Sequence, residues 1–170
     1  RILAPPALPI RCLPMPKLPA DPLARLHPSS TDKLNVLLMG GGGREHALAT
    51  KIASSPRLGK LWTTNPENPA IAALATPVDV PVHIREFYRL EQFCEKNKID
   101  LAVIGPEDPL AEGFADKFTA VGVAAFGPSR EGARLEWDKA WAKQLMRSAS
   151  VPTAEARSFT DPNAAIAYIE

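Results

Sequence analysis

The stretch that decides the fold is Leu34–Arg44, LNVLLMGGGGR, in which a short apolar run precedes four glycines and an arginine. An apolar run of this length, bounded by glycines, indicates a β-strand buried on both faces. The next segment, Arg44–Ser55, places Leu48 and Ile52 on one face of a predicted helix. A strand, a glycine turn and a helix in this order are typical of the first unit of a parallel α/β fold.

The same alternation of strands and helices continues along the chain. Further strands are predicted at Lys60–Thr64, Val78–Val80, Ile99–Ile104 and Val123–Phe126, and further helices at Asn68–Ala75, Ile84–Lys98 and Pro109–Val121. Crossovers between parallel strands are right-handed, and their helices cover the sheet. The sequence therefore predicts an α/β protein with an open, mostly parallel sheet and helices on both faces.

Composition changes at both ends of this region. Residues 1–33 hold eight of the 18 prolines and no glycine, and we expect a proline-rich, disordered extension there. Residues 34–127 are predicted to form the α/β domain. After residue 127 the pattern predicts only helices, at 129–135, 137–149 and 162–170. We therefore expect residues 128–170 to open a second domain that is truncated at the end of the chain.

The overall composition excludes several classes of protein. The chain has 170 residues, 45% of them apolar and 23% charged, with a net charge of +1. This charge gives no general attraction to nucleic acid, and no apolar run is long enough for a membrane span. We expect a cytoplasmic monomer. Cys12 and Cys94 have neither metal-site spacing nor a disulfide framework, and Cys94 is predicted to be a buried apolar residue.

The glycine turn predicts an anion site. Glycines let the backbone approach a ligand closely, and free N–H groups at a helix start favour a phosphate, which Arg44 can also bind. A dinucleotide is disfavoured because the third position of G-x-G-x-x-G falls on Glu45 or His46, and a P-loop motif is absent. Glu45 needs no ligand to explain it, because an acid in the first turn of a helix interacts favourably with the helix dipole. His46 is typical of a structural histidine. A plain tight turn remains the alternative to a phosphate site.

Two further segments are candidates for binding. The loop IGPEDPL, Ile104–Leu110, follows a predicted strand at the same sheet edge as the glycine turn, where Glu107 can accept from sugar hydroxyls or an ammonium. Its alternative role is to cap the next helix. Lys139 and Lys143 lie four residues apart on a predicted helix, and a solvated charged face is the alternative to a functional pair.

A stripe of large apolar residues on that last helix is predicted to face a core. Trp137, Trp141 and Leu145 recur every four residues, roughly opposite the two lysines. We therefore expect the three to be buried.

Four motifs in this order and spacing resemble one enzyme family. They are Asn35–Ala47 (NVLLMGGGGREHA), Asp100–Leu110 (DLAVIGPEDPL), Phe126–Ser129 (FGPS) and Leu135–Thr153 (LEWDKAWAKQLMRSASVPT). Together they resemble the N-terminal part of the phosphoribosylamine–glycine ligases, members of the ATP-grasp superfamily. The resemblance implies a Rossmann-like, pre-ATP-grasp sheet followed by the start of an ATP-grasp domain. The last motif is also similar to other ATP-grasp enzymes.

The resemblance also implies a reaction and its ligands. ATP phosphorylates glycine, and the amine of 5-phosphoribosylamine attacks the acyl phosphate to form an amide in purine biosynthesis. The implied phosphoribosylamine-binding residues are Gly41, Gly42, Gly43, Arg44, Glu45, Asn68, Glu107 and Pro109. Lys139 is similar to the lysine that binds ATP phosphates. Magnesium or manganese ligands are expected beyond residue 170, and no catalytic residue is expected within this chain.

The chain departs from the family pattern in two places. Residues 66–70 are PENPA, where the family has P-G-N-A-G, so that Asn68 remains but both glycines are replaced. Trp137 stands where the family has a small residue. Two alternatives to the ligase therefore stay open: another ATP-grasp carboxylate–amine ligase, and a stand-alone phosphosugar-binding module without catalysis.

Overall fold

A five-stranded parallel sheet forms the centre of the protein in a computed structural model that describes Leu26 and residues 33–169. The expected disorder of residues 1–33 therefore falls almost entirely outside the described residues. The strands are β1 (Leu34–Met39), β2 (Leu58–Thr63), β3 (Thr76–Pro77), β4 (Ile99–Ile104) and β5 (Ala124–Phe126). Their order is β3-β2-β1-β4-β5, and every neighbouring pair is parallel. The predicted α/β, Rossmann-like sheet is confirmed.

Helices connect the strands and continue after the sheet. They are α1 (Gly43–Ala53), α2 (Pro69–Ala72), α3 (Phe87–Asn97), α4 (Glu107–Glu112), α5 (Phe114–Ala120), α6 (Arg130–Trp137), α7 (Lys139–Ser148) and α8 (Pro162–Ile169). A short 3₁₀ turn, Ile84–Glu86, precedes α3. Among the described residues, no helix has the length and apolarity that crossing a membrane requires.

Two apolar cores lie on the two faces of the sheet. The central strand β1 supplies both, because alternate side chains of a strand point to opposite faces. Leu37 and Met39 join the core beneath α3, α4 and α5, whereas Val36 and Leu38 join the core beneath α1 and α2. This double burial explains why β1 is apolar at every position except Asn35, which is only half-buried.

The cysteine prediction is confirmed for Cys94, which is buried in the first of these cores. Burial, with a smaller contribution from the charge of Glu91, raises the pKa of its thiol to about 12. The thiol is therefore an unreactive, apolar part of the core.

The third strand is displaced from its predicted position at Val78–Val80. The observed strand is Thr76–Pro77, which pairs only with the last two residues of β2, Trp62 and Thr63. The N–H of Val78 still donates to the Thr63 carbonyl at 2.9 Å, but β2 ends there. The edge strand therefore stops for lack of a partner, which the local apolar pattern does not reveal.

The prediction of one helix over Pro109–Val121 was wrong. Two helices, α4 and α5, fill this region and meet at Gly113, whose φ is +92°. A left-handed residue ends an α-helix, and glycine adopts that conformation without steric cost. Helix α4 also begins earlier than predicted, at Glu107, so that Pro109 is its third residue.

The predicted burial of the apolar stripe on the last helices was also wrong. Trp137 is 45% exposed and Leu145 is 41% exposed, while the buried residue of α7 is Ala142. Trp141 is partly covered by the guanidinium of Arg134, which lies 4.6 Å from the ring centre. The described residues offer no core for this face, because α7 packs mainly on α6.

Candidate functional site

A cleft of about 360 Å³ lies at the carboxyl ends of β1, β2 and β4. In the sheet, β1 lies between β2 and β4, so that the chain adds strands on one side of β1 up to β3 and then crosses to the other side for β4 and β5. Ligands of open α/β sheets bind at this reversal of strand order. The lining residues are Met39, Gly40, Gly41, Thr64, Asn65, Val82, Pro106, Asp108, Pro109, Glu112 and Phe114. The glycine turn and the Glu107 loop thus meet at one edge, as the sequence predicted.

Close approach of two loops explains the first glycine of the turn. Gly40 has a φ of +110°, and a Cβ there would lie 2.7 Å from Cδ of Pro106. The Gly40 N–H donates to Oδ1 of Asn65 at 3.0 Å. The turn therefore bonds to the end of β2 and packs against the loop that follows β4.

The peptide N–H groups of the turn divide into two sets. Those of Gly40 and Gly42 are used internally, the second by a 2.8 Å bond to Oε2 of Glu45. Within residues 33–169, the N–H groups of Gly41, Gly43 and Arg44 have no acceptor. Three N–H groups at the start of α1 are thus left for a ligand, because two of the five from Gly40 to Arg44 are bonded within the protein.

Glu45 is the buried acid of the site. It is 3% exposed, and its Oε1 accepts from Nε of Arg44 at 2.8 Å. Burial by itself raises the pKa of this carboxyl, but the hydrogen bonds from Arg44 and from the Gly42 N–H outweigh it, and the net pKa lies below the ordinary value. The carboxylate is therefore kept ionised at neutral pH, facing inward.

Arg44 is the exposed cation of the site, with 58% of its side chain accessible. Its hydrogen bond to Glu45 raises the pKa of the guanidinium, and the charges of Glu45, Glu107 and Glu136 act in the same direction. Because only Nε is engaged by Glu45, the terminal nitrogens of the guanidinium can bind an anion.

Asn68 has a structural position beside the turn. Its Nδ2 donates to the Gly41 carbonyl at 2.8 Å, and its Oδ1 caps α2 by accepting from the N–H groups of Ala70 and Ile71. The side chain thus fixes the peptide of Gly41 although both glycines of the family pattern around it are replaced.

The loop after β4 contributes acids to the cleft. Glu107 is exposed at the first residue of α4, and both Glu107 and Asp108 lie in the first turn of this helix. Asp108, Pro109 and Glu112 line the cleft directly. Carboxylates there can accept hydrogen bonds from sugar hydroxyls or from an amine.

Sequence analysis missed Thr64 and Asn65 as parts of the site. Asn65 accepts from the Gly40 N–H and from Oγ1 of Thr64, at 3.0 and 2.8 Å. The available signal was a Thr-Asn pair directly after a strand, at the edge where the glycine turn was already placed.

The second set of candidate residues lies on α7, away from the sheet. Asp138 caps this helix by accepting from the Trp141 N–H at 3.0 Å. Lys139, its first residue, is exposed and has no hydrogen-bond or ion-pair partner among the described residues. Lys143 instead donates to Thr153 Oγ1 at 2.6 Å and to the Ala154 carbonyl at 2.9 Å.

Four cations surround a cavity of about 460 Å³ beside this helix. They are Lys139, Lys143, Arg147 and Arg157, and no acidic residue shares the lining. An unopposed cluster of this kind attracts polyphosphates. Among residues 33–169, no group of three or more His, Cys, Asp or Glu side chains is placed to hold a metal ion.

Comparisons with known proteins identify the family of the region that forms the sheet. The family model described as phosphoribosylglycinamide synthetase, N domain, matches residues 34–136. A phosphoribosylamine–glycine ligase of Mesorhizobium japonicum is 47% identical over 137 residues, covering 81% of this chain and 32% of that protein. The corresponding ligase of Nostoc is 43% identical over 137 residues, covering 81% of this chain and 32% of that protein. The trifunctional purine biosynthetic protein adenosine-3 of Gallus gallus is 42% identical over 134 residues, covering 79% of this chain and 13% of that protein.

The chain thus spans about a third of the length of the single-function relatives it matches. Among solved structures, a Rex-family repressor is 14% identical with a TM-score of 0.39, covering 69% of this chain and 63% of that chain. A likeness this slight carries no argument about function.

Proposed function

The chain belongs to the family of phosphoribosylglycinamide synthetase N domains, and we propose that it supplies the part of a phosphoribosylamine–glycine ligase that binds phosphoribosylamine. The whole enzyme would form an amide between glycine and 5-phosphoribosylamine, with ATP, in purine biosynthesis. The observation that carries the proposal is the cleft at the strand-order reversal, which Gly41 of the glycine turn lines together with the carboxylates of Asp108 and Glu112 from the segment after β4. The N–H groups of Gly41, Gly43 and Arg44, which have no acceptor within residues 33–169, and the exposed Arg44 side chain continue from this turn into the start of α1.

The two rims suit the two ends of the substrate. The N–H groups of Gly41, Gly43 and Arg44, with the Arg44 guanidinium, would bind the 5-phosphate. Glu107, beside Pro109, would accept from the amine or a ribose hydroxyl. Asn68 would contribute by holding the Gly41 peptide through their 2.8 Å hydrogen bond.

The proposed reaction has two steps. The terminal phosphoryl group of ATP passes to a carboxylate oxygen of glycine, giving an acyl phosphate and ADP. The amine nitrogen of phosphoribosylamine then attacks the carbonyl carbon, phosphate leaves and a proton is lost from nitrogen. A divalent ion, Mg²⁺ or Mn²⁺, would offset the phosphate charge, and we assign its ligands to parts of the enzyme outside residues 33–169. This part of the chain binds and orients the amine substrate.

The cation-lined cavity beside α7 would receive the ATP phosphates. Lys139 is the best placed of its four cations, because its ammonium has no partner in the part of the chain that the structure describes, while Lys143 is bonded to Thr153. On this proposal residues 34–127 form the substrate-binding domain and residues 128–170 begin the ATP-binding part. We further propose that the whole enzyme binds only its small-molecule substrates, phosphoribosylamine, glycine and ATP, and that it acts as a monomer in the cytoplasm.

A chimeric enzyme tests the proposed activity. Residues 34–169 would replace the matching N-terminal region of the Mesorhizobium ligase, to which they are 47% identical. We expect ADP release that requires both glycine and phosphoribosylamine. Release with other carboxylic acids but not with glycine would favour a different ATP-grasp ligase. No release from a folded chimera, with the parent ligase active, would contradict the proposal.

A binding measurement tests the site itself. Titration calorimetry of the 170-residue chain with ribose 5-phosphate should give saturable heat. Arg44→Ala should weaken binding by about tenfold or more, because a charge-assisted hydrogen bond is lost. Arg89→Ala is the matched control, since Arg89 is an exposed arginine that pairs with Glu86 at the start of α3. Equal affinity of both variants would contradict the assignment of Arg44.

A further inference from the structure

A buried carboxylate fills the space beneath the glycine turn. Glu45 is 3% exposed, although it lies in the first turn of a surface helix. A Cβ added at Gly40, Gly42 or Gly105 would lie 2.8 Å from its Cγ, 2.8 Å from its Oε2 and 2.0 Å from its Oε1, respectively. No side chain could be accommodated at such distances without displacing Glu45. The three glycines therefore form the space that this one side chain occupies.

These glycines belong to two different strand ends. Gly40 follows β1 and Gly105 follows β4, and the Gly105 N–H donates to the Met39 carbonyl at 3.2 Å. Glu45 thus lies between the two loops that form the rims of the cleft. Its position sets how the glycine turn faces the loop that carries Glu107.

The same carboxylate fixes the direction of Arg44. Its Oε1 accepts from Arg44 Nε, and its Oε2 accepts from the Gly42 N–H, both at 2.8 Å. An arginine already held at Nε loses less rotamer freedom when its terminal nitrogens bind an anion. Both oxygens of the Glu45 carboxylate therefore already accept a hydrogen bond from within the site.

We propose that Glu45 is a positioning residue, which holds the glycine turn and Arg44 in the arrangement that binds the phosphate of the substrate without contacting the substrate itself. This inference rests on the proposed function. It replaces the direct contact that the family resemblance implied for Glu45, because the carboxylate faces inward and the ligand would meet the other side of the turn.

Calorimetry of the full 170-residue chain with ribose 5-phosphate provides the test. Glu45→Gln keeps the shape of the side chain, but it offers one acceptor oxygen instead of two and no charge, so that either Arg44 Nε or the Gly42 N–H loses its partner. We expect the affinity to fall by about tenfold, with saturable binding retained. Glu95→Gln, an exposed residue of α3, is the matched control and should bind within about twofold of the parent chain.

A second route displaces Glu45 without changing its charge. In Gly105→Ala the new methyl group collides with Oε1, so that binding should weaken as in Glu45→Gln. In the double variant Gly105→Ala with Glu45→Ala, the three atoms nearest the new methyl group are gone, and the affinity should equal that of Glu45→Ala alone. Independent structural damage would instead give losses that add.

The outcomes separate this inference from the function on which it rests. No binding by the parent chain would overturn the proposed phosphosugar site and this inference together. Binding by the parent chain with unchanged affinity in Glu45→Gln and Gly105→Ala would overturn the positioning role alone, as would additive losses in the cycle. If circular dichroism shows the Glu45 variants unfolded, an unchanged affinity of Gly105→Ala overturns the inference and a tenfold loss supports it.

Discussion

At the scale of single residues, the site depends on which polar groups are already paired. The glycine turn carries several N–H groups, yet Asn65 and Glu45 take two of them, and Asn68 takes the Gly41 carbonyl. The N–H groups of Gly41, Gly43 and Arg44 have no acceptor within residues 33–169 and remain for a ligand. On the proposed function, the donors left for an anion are therefore set by Asn65 after β2, Glu45 on α1 and Asn68 at the cap of α2 as much as by the glycines.

The ionised state of Glu45 should make stability depend on pH. Its pKa is lowered in the folded protein, so its contribution is fully present above the unfolded value of about 4.3 and is lost as pH falls through the folded value. At pH 7 we expect Glu45→Gln to lower the free energy of unfolding by about 1–3 kcal/mol, because a buried charged hydrogen bond is broken. Urea titrations of both chains should show this difference shrinking from pH 5 to pH 3.

The exposed control Glu95→Gln should leave the free energy of unfolding at pH 7 within about 0.5 kcal/mol of the parent. A difference between parent and Glu45→Gln that stays constant down to pH 3 would contradict the lowered pKa. It would mean that the carboxylate is not held by Arg44 and Gly42 in solution.

At the scale of secondary-structure elements, the conformation of single glycines decides where helices end. Gly113 separates α4 from α5 with a φ of +92°, and a Cβ there would meet only ordinary contacts at 3.8 Å. Gly113→Ala should therefore be destabilising through backbone strain alone, by about 1–2 kcal/mol. Gly43, at the start of α1, has no neighbour within 4 Å of an added Cβ, and Gly43→Ala should change stability by less than about 1 kcal/mol, in the stabilising direction.

Urea denaturation followed by circular dichroism measures both variants. If the two alanines have equal effects, the left-handed conformation at Gly113 is not what separates the helices, and one continuous helix would be the better description of residues 107–120.

How far the sequence predicts each element depends on where its signal lies. Strands β1 and β4 were predicted to the residue, because strands buried on both faces are mostly apolar, and each of these has a single polar residue, Asn35 or Asp100, near its start. The edge strand β3 and the break at Gly113 were not, because a missing neighbour and the sign of φ leave no apolar pattern. The shared edge of the cleft followed from parallel topology, whereas the burial of Glu45 depends on Gly105, sixty residues away in sequence.

At the scale of the whole molecule, both cores end before the last helices begin. No member of either core lies beyond Ala133, which is buried in α6 against the helices that follow β4. Helix α7 packs mainly on α6, and the exposed Leu145 and Trp137 lie outside both cores. The sheet with its cleft should therefore fold without residues 139–170.

Two truncations test this independence. A chain ending at Asp138 keeps α6, and its Tm should lie within about 4 °C of the parent, since less than about 1 kcal/mol is lost. A chain ending at Phe126 loses α6 and buried Ala133, and its Tm should fall by clearly more. The Asp138 variant should also bind ribose 5-phosphate within about twofold of the parent, because every residue lining the cleft precedes residue 115.

A large loss of stability in that variant would show that residues 139–170 belong to the same folding unit as the sheet. Loss of binding with Tm retained would instead place part of the phosphosugar site on α7 or beyond, against the assignment of that site to residues 34–127.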